Sequence, residues 1–202
     1  LAMLEIFQNQ MKEANRLFAK FIGNHYEDWI VNESGPLMSH QILKEKLFPL
    51  LKNESGKTTL MLVIDNLRFD QWKMIAPIIE NHYQKEKETS YFSILPTATQ
   101  YARNAIFSGM MPIEMQKTHP DLWVNENEEG GKNLNEAEFL KAQLDRNGIK
   151  SQFSYSKITN LKDGRELAQS LNIHKQDDLV VIVYNFVDMI SHAKTEMEII
   201  KE

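Results

Sequence analysis

Two apolar runs constrain the fold of this 202-residue chain more than any other feature. The first is Thr59-Leu60-Met61-Leu62-Val63-Ile64. The second is Asp178-Leu179-Val180-Val181-Ile182-Val183-Tyr184. Neither alternates apolar with polar residues, as a strand with one wet face would. Continuous runs of this length mark strands buried on both faces of a parallel sheet. Each stops at a turn that carries an acid, Asp65-Asn66 in one case and Asn185-Phe186-Val187-Asp188 in the other.

Helical patterns alternate with these runs. Residues 67–83 place Phe69, Trp72, Ile75, Ile78 and Ile79 on one face at helical spacing. A further strand is expected over Tyr91–Leu95, stopped by Pro96, with a helix behind it that ends at Ser108-Gly109. A helix over 135–147, a strand over 151–155 and a helix over 160–171 complete the series. Strand and helix in alternation predict an α/β fold, a largely parallel sheet flanked by helices. Ahead of it, residues 1–22 form an amphipathic helix for which Gly23-Asn24 is the expected stop. A short helical turn over 25–31 and a helix over 37–51 follow. The expected division is therefore a helical linker or bundle segment over 1–52 and an α/β domain over 53–202. The chain begins and ends inside helical patterns, so it reads as a piece of a longer protein.

Composition narrows the function classes. The net charge of −5 disfavours non-specific nucleic-acid binding through a large basic surface. There is no cysteine, so any metal must be held by His and carboxylate ligands. No apolar run reaches the length of a membrane span and no signal-peptide pattern opens the chain, so a cytoplasmic location without membrane insertion is expected. Ser55-Gly56-Lys57-Thr58 imitates a phosphate-binding loop. The required earlier glycine is Leu51, however, and the strand follows instead of preceding, so that reading is rejected. No G-x-G-x-x-G follows either buried strand, which argues against a dinucleotide binder.

Ligands in open α/β sheets bind at the C-terminal ends of strands. Three expected strand ends carry chemistry: Asp65 after the first, Thr97 and Thr99 after the second, Asp188 and His192 after the last. If those strands are neighbours, two carboxylates, an alcohol and an imidazole converge. Such oxygen and nitrogen donors suit Zn²⁺, Mn²⁺ or a related ion. Two ions about 4 Å apart activate an alcohol that is otherwise a poor nucleophile and clamp a phosphoryl group. Each residue also has a plainer role: Asp65 as a turn former, a threonine as a helix cap, Asp188 and His192 as a helical i, i+4 pair. Arg68, Arg103 and Asn104 read first as surface or capping residues, with phosphate contact as the alternative. Of the three, Asn104 and Arg68 are the substrate-binding candidates.

With these residues in place, the pattern resembles the alkaline phosphatase superfamily in its nucleotide pyrophosphatase/phosphodiesterase-like and PglZ branches. Val63-Ile64-Asp65-Asn66-Leu67-Arg68 resembles a strand ending in a metal-binding Asp. Pro96-Thr97-Ala98-Thr99, followed by Asn104 and Ser108-Gly109, is similar to the Pro-Thr-x-Thr nucleophile turn, whose second Thr attacks. Asp188-Met189-Ile190-Ser191-His192 is similar to the Asp-x-x-x-His pair of the second metal. The resemblance covers most of the chain, including the upstream helices and Gly35-Pro36-Leu37-Met38-Ser39-His40, and is strongest to the effector region of PorX-type response regulators of Bacteroidetes. It implies Thr99 as nucleophile with Thr97 as runner-up, Asp65 and Thr99 at one metal, and Asp188 and His192 at the other. It further implies two divalent ions, Zn²⁺ first and Mn²⁺ second, and phosphodiester substrates of nucleotide or oligonucleotide type. The implied setting is a two-component system controlling type IX secretion, with other signalling proteins or a sigma factor as partners. A homodimer is a further expectation. The superfamily pattern calls for another Asp-His pair and a further His, which are absent between His192 and Glu202, so those ligands are expected beyond this chain. The alternative reading is a non-catalytic signalling module with a vestigial site.

Overall fold

The computed structural model describes residues 2–32, 34–53, 56–124, 133–170 and 176–185. The chain divides into two compact units, Leu1–Met38 and Ser39–Glu202, the division lying ahead of the 52/53 boundary expected above.

Among the described residues the first unit contains one helix, α1 (Ala2–Asn32). The expected stop at Gly23-Asn24 does not occur. An interior glycine costs roughly 1 kcal/mol relative to alanine but does not forbid a helix. The aromatic face continues across it: the Phe21 and His25 rings lie 4.5 Å apart and the His25 and Trp29 rings 6.0 Å apart. The His25 ring Nδ1 also lies 2.7 Å from the Phe21 carbonyl one turn earlier.

The second unit opens with a 3-10 turn at Ser39–Gln41, a π turn at Leu43–Leu47 and α2 (Phe48–Asn53). Pro49 follows the π turn directly within one continuous helical run, where its missing N–H removes a backbone bond and interrupts the regular helix. Then come β1 (Thr59–Ile64), α3 (Phe69–Glu80), α4 (Thr99–Ser108), α5 (Pro112–Thr118), α6 (Glu136–Arg146), β2 (Phe153–Ile158), α7 (Leu161–Ser170) and β3 (Leu179–Tyr184). Among the described residues three strands, all parallel, lie in the order β1-β3-β2, with Ile64, Tyr184 and Ile158 in register at their C-terminal ends. This is the α/β architecture expected, with the second apolar run, β3, in the central position.

The central strand is buried on both faces, as its sequence demands; Leu179, Val181 and Val183 are fully buried. β1, at the edge of the sheet among the described residues, is not, and Leu60 and Leu62 remain 52% and 50% exposed. Period-2 alternation explains the difference. On one face, Val180, Ile182 and Ile158 form a core with Leu167 of α7. That helix lies over the β2 side and leaves Leu60 and Leu62 open. The other face carries Tyr155 and Lys157, in register with Val181 and Val183. It looks toward the packed pair α4 and α6, with Phe107 and Tyr155 meeting edge to face at 6.0 Å.

The segment Tyr91–Leu95 is a correction to the expected strand. It is not a member of the sheet among the described residues. Its backbone instead pairs with Ser39, distant in sequence: the Ser39 N–H donates to Phe92 O (3.1 Å) and Ile94 N–H to Ser39 Oγ (3.1 Å). Ile94 is fully buried. The apolar pattern therefore reports a buried extended segment, and periodicity alone does not separate that from a strand. The Leu95–Pro96 bond is cis.

Candidate active site at the strand ends

Asp65 follows β1 directly, and its N–H donates to Tyr184 O of β3 (3.1 Å). The chain then turns sharply at Asn66, which takes a left-handed conformation (φ 58°). Asparagine tolerates that region better than other residues with a Cβ. Asn185 occupies the matching position after β3, its N–H bonded to Ile158 O of β2 (2.9 Å). The C-terminal ends of all three strands thus lie side by side.

The threonines arrive by a different route from the one expected. They end no strand of the sheet; Thr99 is the first residue of α4. The capping position is Ala98, which has no side-chain oxygen to offer, so Thr99 is not its own helix's N-cap. At the far end, α4 stops at Gly109, with φ 64°. A Cβ there would meet the Gln143 side chain. Arg146 Nη2 donates to Ser108 O (2.6 Å) at the same terminus, where the helix dipole favours a cation.

A cleft of about 320 Å³ opens above β1, lined by Asp65, Asn66, Arg68, Thr97, Thr99 and Arg103 among others. The structure therefore brings together Asp65, both threonines and Arg68. Arg68 forms a two-pronged pair with Asp70 at the start of α3 (3.0 and 2.9 Å). That hydrogen bonding holds the Asp70 carboxyl below its usual range. Asn104 is buried on α4 at 4% exposure and is not among the residues lining the cleft. Asp188 and His192 lie outside the described residues.

Sequence reasoning missed the polar network beneath the cleft. Arg103 is 4% exposed, not the surface or capping residue expected. Its Nη1 donates to Asp65 Oδ2 (2.9 Å) and to Asn185 Oδ1 (2.7 Å), and its Nε donates to Glu136 Oε1. Glu136 is fully buried. Its other oxygen accepts from the Tyr155 hydroxyl and from Lys157 Nζ (3.1 Å). The two acids and two bases balance in charge, as buried ions must. Burial pushes the Tyr155 phenol well above its ordinary range, and the charge and hydrogen bond of Glu136 add to the effect. One signal was available: Lys157 two residues after Tyr155 puts a cation on the same strand face as an aromatic. The apolar pattern ends at Tyr155, whereas the strand runs on to Ile158.

Among the described residues no group of three or more His, Asp or Glu side chains is placed to hold a metal ion. The donors lining the cleft do fit a divalent cation: a carboxylate and alcohol oxygens are hard ligands, and only Oδ2 of Asp65 is bonded to Arg103.

A family model described as the BREX system PglZ alkaline phosphatase-like domain matches residues 42–202. A second, described as the PorX response regulator linker domain, matches residues 1–30. No curated protein matches the chain. The chain belongs to the PglZ family of alkaline phosphatase-like domains, here carried behind a response-regulator linker.

Proposed function

We propose that this domain is the metal-dependent phosphodiesterase or phosphatase effector of a two-component response regulator, with Thr99 as its nucleophile. Alkaline phosphatase-like domains generally use divalent metals. The observation that carries the reading is the placement of Thr99, at the first position of α4, in one cleft with Asp65 at the end of β1. A bound divalent ion would favour the alkoxide of Thr99 and neutralise charge on the phosphoryl oxygens.

Asp65 would hold that ion through the oxygen not engaged by Arg103. The N-terminal turn of α4 presents its N–H groups and positive dipole end beside the position an anionic phosphoryl group would take. Thr99 Oγ1 would attack phosphorus and expel the alcohol, forming a threonine phosphoester that water then cleaves. Asp188 and His192 are the proposed ligands of a second ion, with Zn²⁺ ahead of Mn²⁺. Arg68 is proposed to contact substrate from the rim of the cleft, and Asn104 to support α4 from behind it. The substrates proposed are nucleotide or oligonucleotide phosphodiesters, and the setting is cytoplasmic control of secretion.

The test is hydrolysis of bis-p-nitrophenyl phosphate by the full-length protein. Activity should depend on added Zn²⁺ or Mn²⁺, vanish with chelator, and fall at least about 1,000-fold in Thr99→Ala, since the covalent route is lost. Equal rates in wild type and Thr99→Ala would remove the nucleophile from the account.

A further inference from the structure

We propose that Arg103 is the positioning residue of this site, fixing the carboxylate of Asp65 relative to Thr99 and anchored in turn by buried Glu136. The proposal rests on the reading of Asp65 as a metal ligand. It adds a role that neither the motif nor its spacing assigns to any residue.

Three observations carry it. Arg103 lies four residues after Thr99 on α4, so both side chains leave the same helix face one turn apart. Its guanidinium spans two strand ends at once, with Nη1 on Asp65 Oδ2 (2.9 Å) and on Asn185 Oδ1 (2.7 Å). The third contact, Nε on Glu136 Oε1, comes from α6. One planar, rigid group therefore registers β1, β3 and α6 against the helix that carries the nucleophile. Lysine, a flexible point charge, does not reproduce that fork.

The energetics favour a positional role. Burying an arginine and a glutamate carries a desolvation penalty, and apolar side chains of similar volume often serve stability as well or better. Glu136 is held on its second oxygen by Tyr155 and Lys157, so the anchor itself is fixed from β2. By holding Oδ2, Arg103 sets the orientation of the oxygen that remains for a cation. Groups that orient a metal ligand in this way commonly contribute 10- to 100-fold to affinity or activity.

The experiment compares full-length wild type, Arg103→Lys and Glu136→Gln by calorimetric titration with Zn²⁺ and Mn²⁺, by kcat and KM on bis-p-nitrophenyl phosphate, and by thermal melting. Metal affinity is expected to fall about 10- to 100-fold in both variants, and kcat by a similar factor with KM little changed. In the Asp65→Asn background, Arg103→Lys should cause no further loss of metal affinity, because the two residues act as one unit. If the folded variants keep wild-type metal affinity and kcat while melting lower, Arg103 is only structural and the proposal is overturned. Additive losses in the double variant overturn it too. If Arg103→Lys does not fold, Glu136→Gln with the Asp65 cycle decides alone. Failure of the functional reading has a different signature: wild type itself then binds no metal, or Thr99→Ala hydrolyses at the wild-type rate.

Discussion

At the scale of single residues, chemistry and stability meet in the buried network, and they separate under mutation. Glu136 is fully buried among Arg103, Tyr155 and Lys157. Glu136→Ala removes one of the two carboxylates that face Arg103 and the one that faces Lys157, leaving an excess of positive charge beneath the cleft, and the expected loss is about 3–5 kcal/mol, measured by denaturant unfolding. Tyr155 gives a pH signature. Its folded-state pKa is raised, so the stability it contributes is fully present below the unfolded value of about 10 and is lost as pH rises above it. Wild type should therefore lose stability steeply above roughly pH 10, and Tyr155→Phe should show a shallower decline in alkaline melting curves. Gly109 adds a backbone case. Gly109→Ala meets both a left-handed φ and the Gln143 side chain, and a destabilisation of roughly 1–3 kcal/mol is expected.

At the scale of elements, the alternation of strands and helices was legible because periodicity reports burial directly. The run that became β3 is the clearest case, since a strand buried on both faces has no polar positions to spare. Tyr91–Leu95 carries a similar signal yet forms no strand, because backbone pairing depends on what lies alongside, and Ser39 is far away in sequence. Gly23 shows the same limit: its local preference of about 1 kcal/mol points to a stop, but the face that continues through Phe21, His25 and Trp29 outweighs it. Gly23 has helical geometry and open space around it. Gly23→Ala should therefore stabilise α1 by about 0.5–1 kcal/mol, raising the melting temperature without affecting hydrolysis.

At the scale of the whole molecule, the parallel register places Asp65 and Asn185 together, and α4 brings the nucleophile candidates to them. The motif residues were readable because each sits beside a strong local signal: a strand end, a proline, a helix start. Arg103, Glu136 and Lys157 were not, because each looks like an ordinary helix or strand residue until three elements are packed. No helix among the described residues is long and apolar enough to cross a membrane. Removing bound ions by chelation should lower the melting temperature of the full-length protein, because an ion that binds only the folded state stabilises it by mass action.

The most direct test of the central claim is to trap the intermediate. Full-length protein loaded with Zn²⁺ would be mixed with bis-p-nitrophenyl phosphate, quenched in acid during turnover and analysed by peptide mass spectrometry. A p-nitrophenyl phosphate ester on Thr99, absent in Thr99→Ala, is the predicted result. An adduct on Thr97, or full turnover in Thr99→Ala with no adduct at either threonine, would contradict the account.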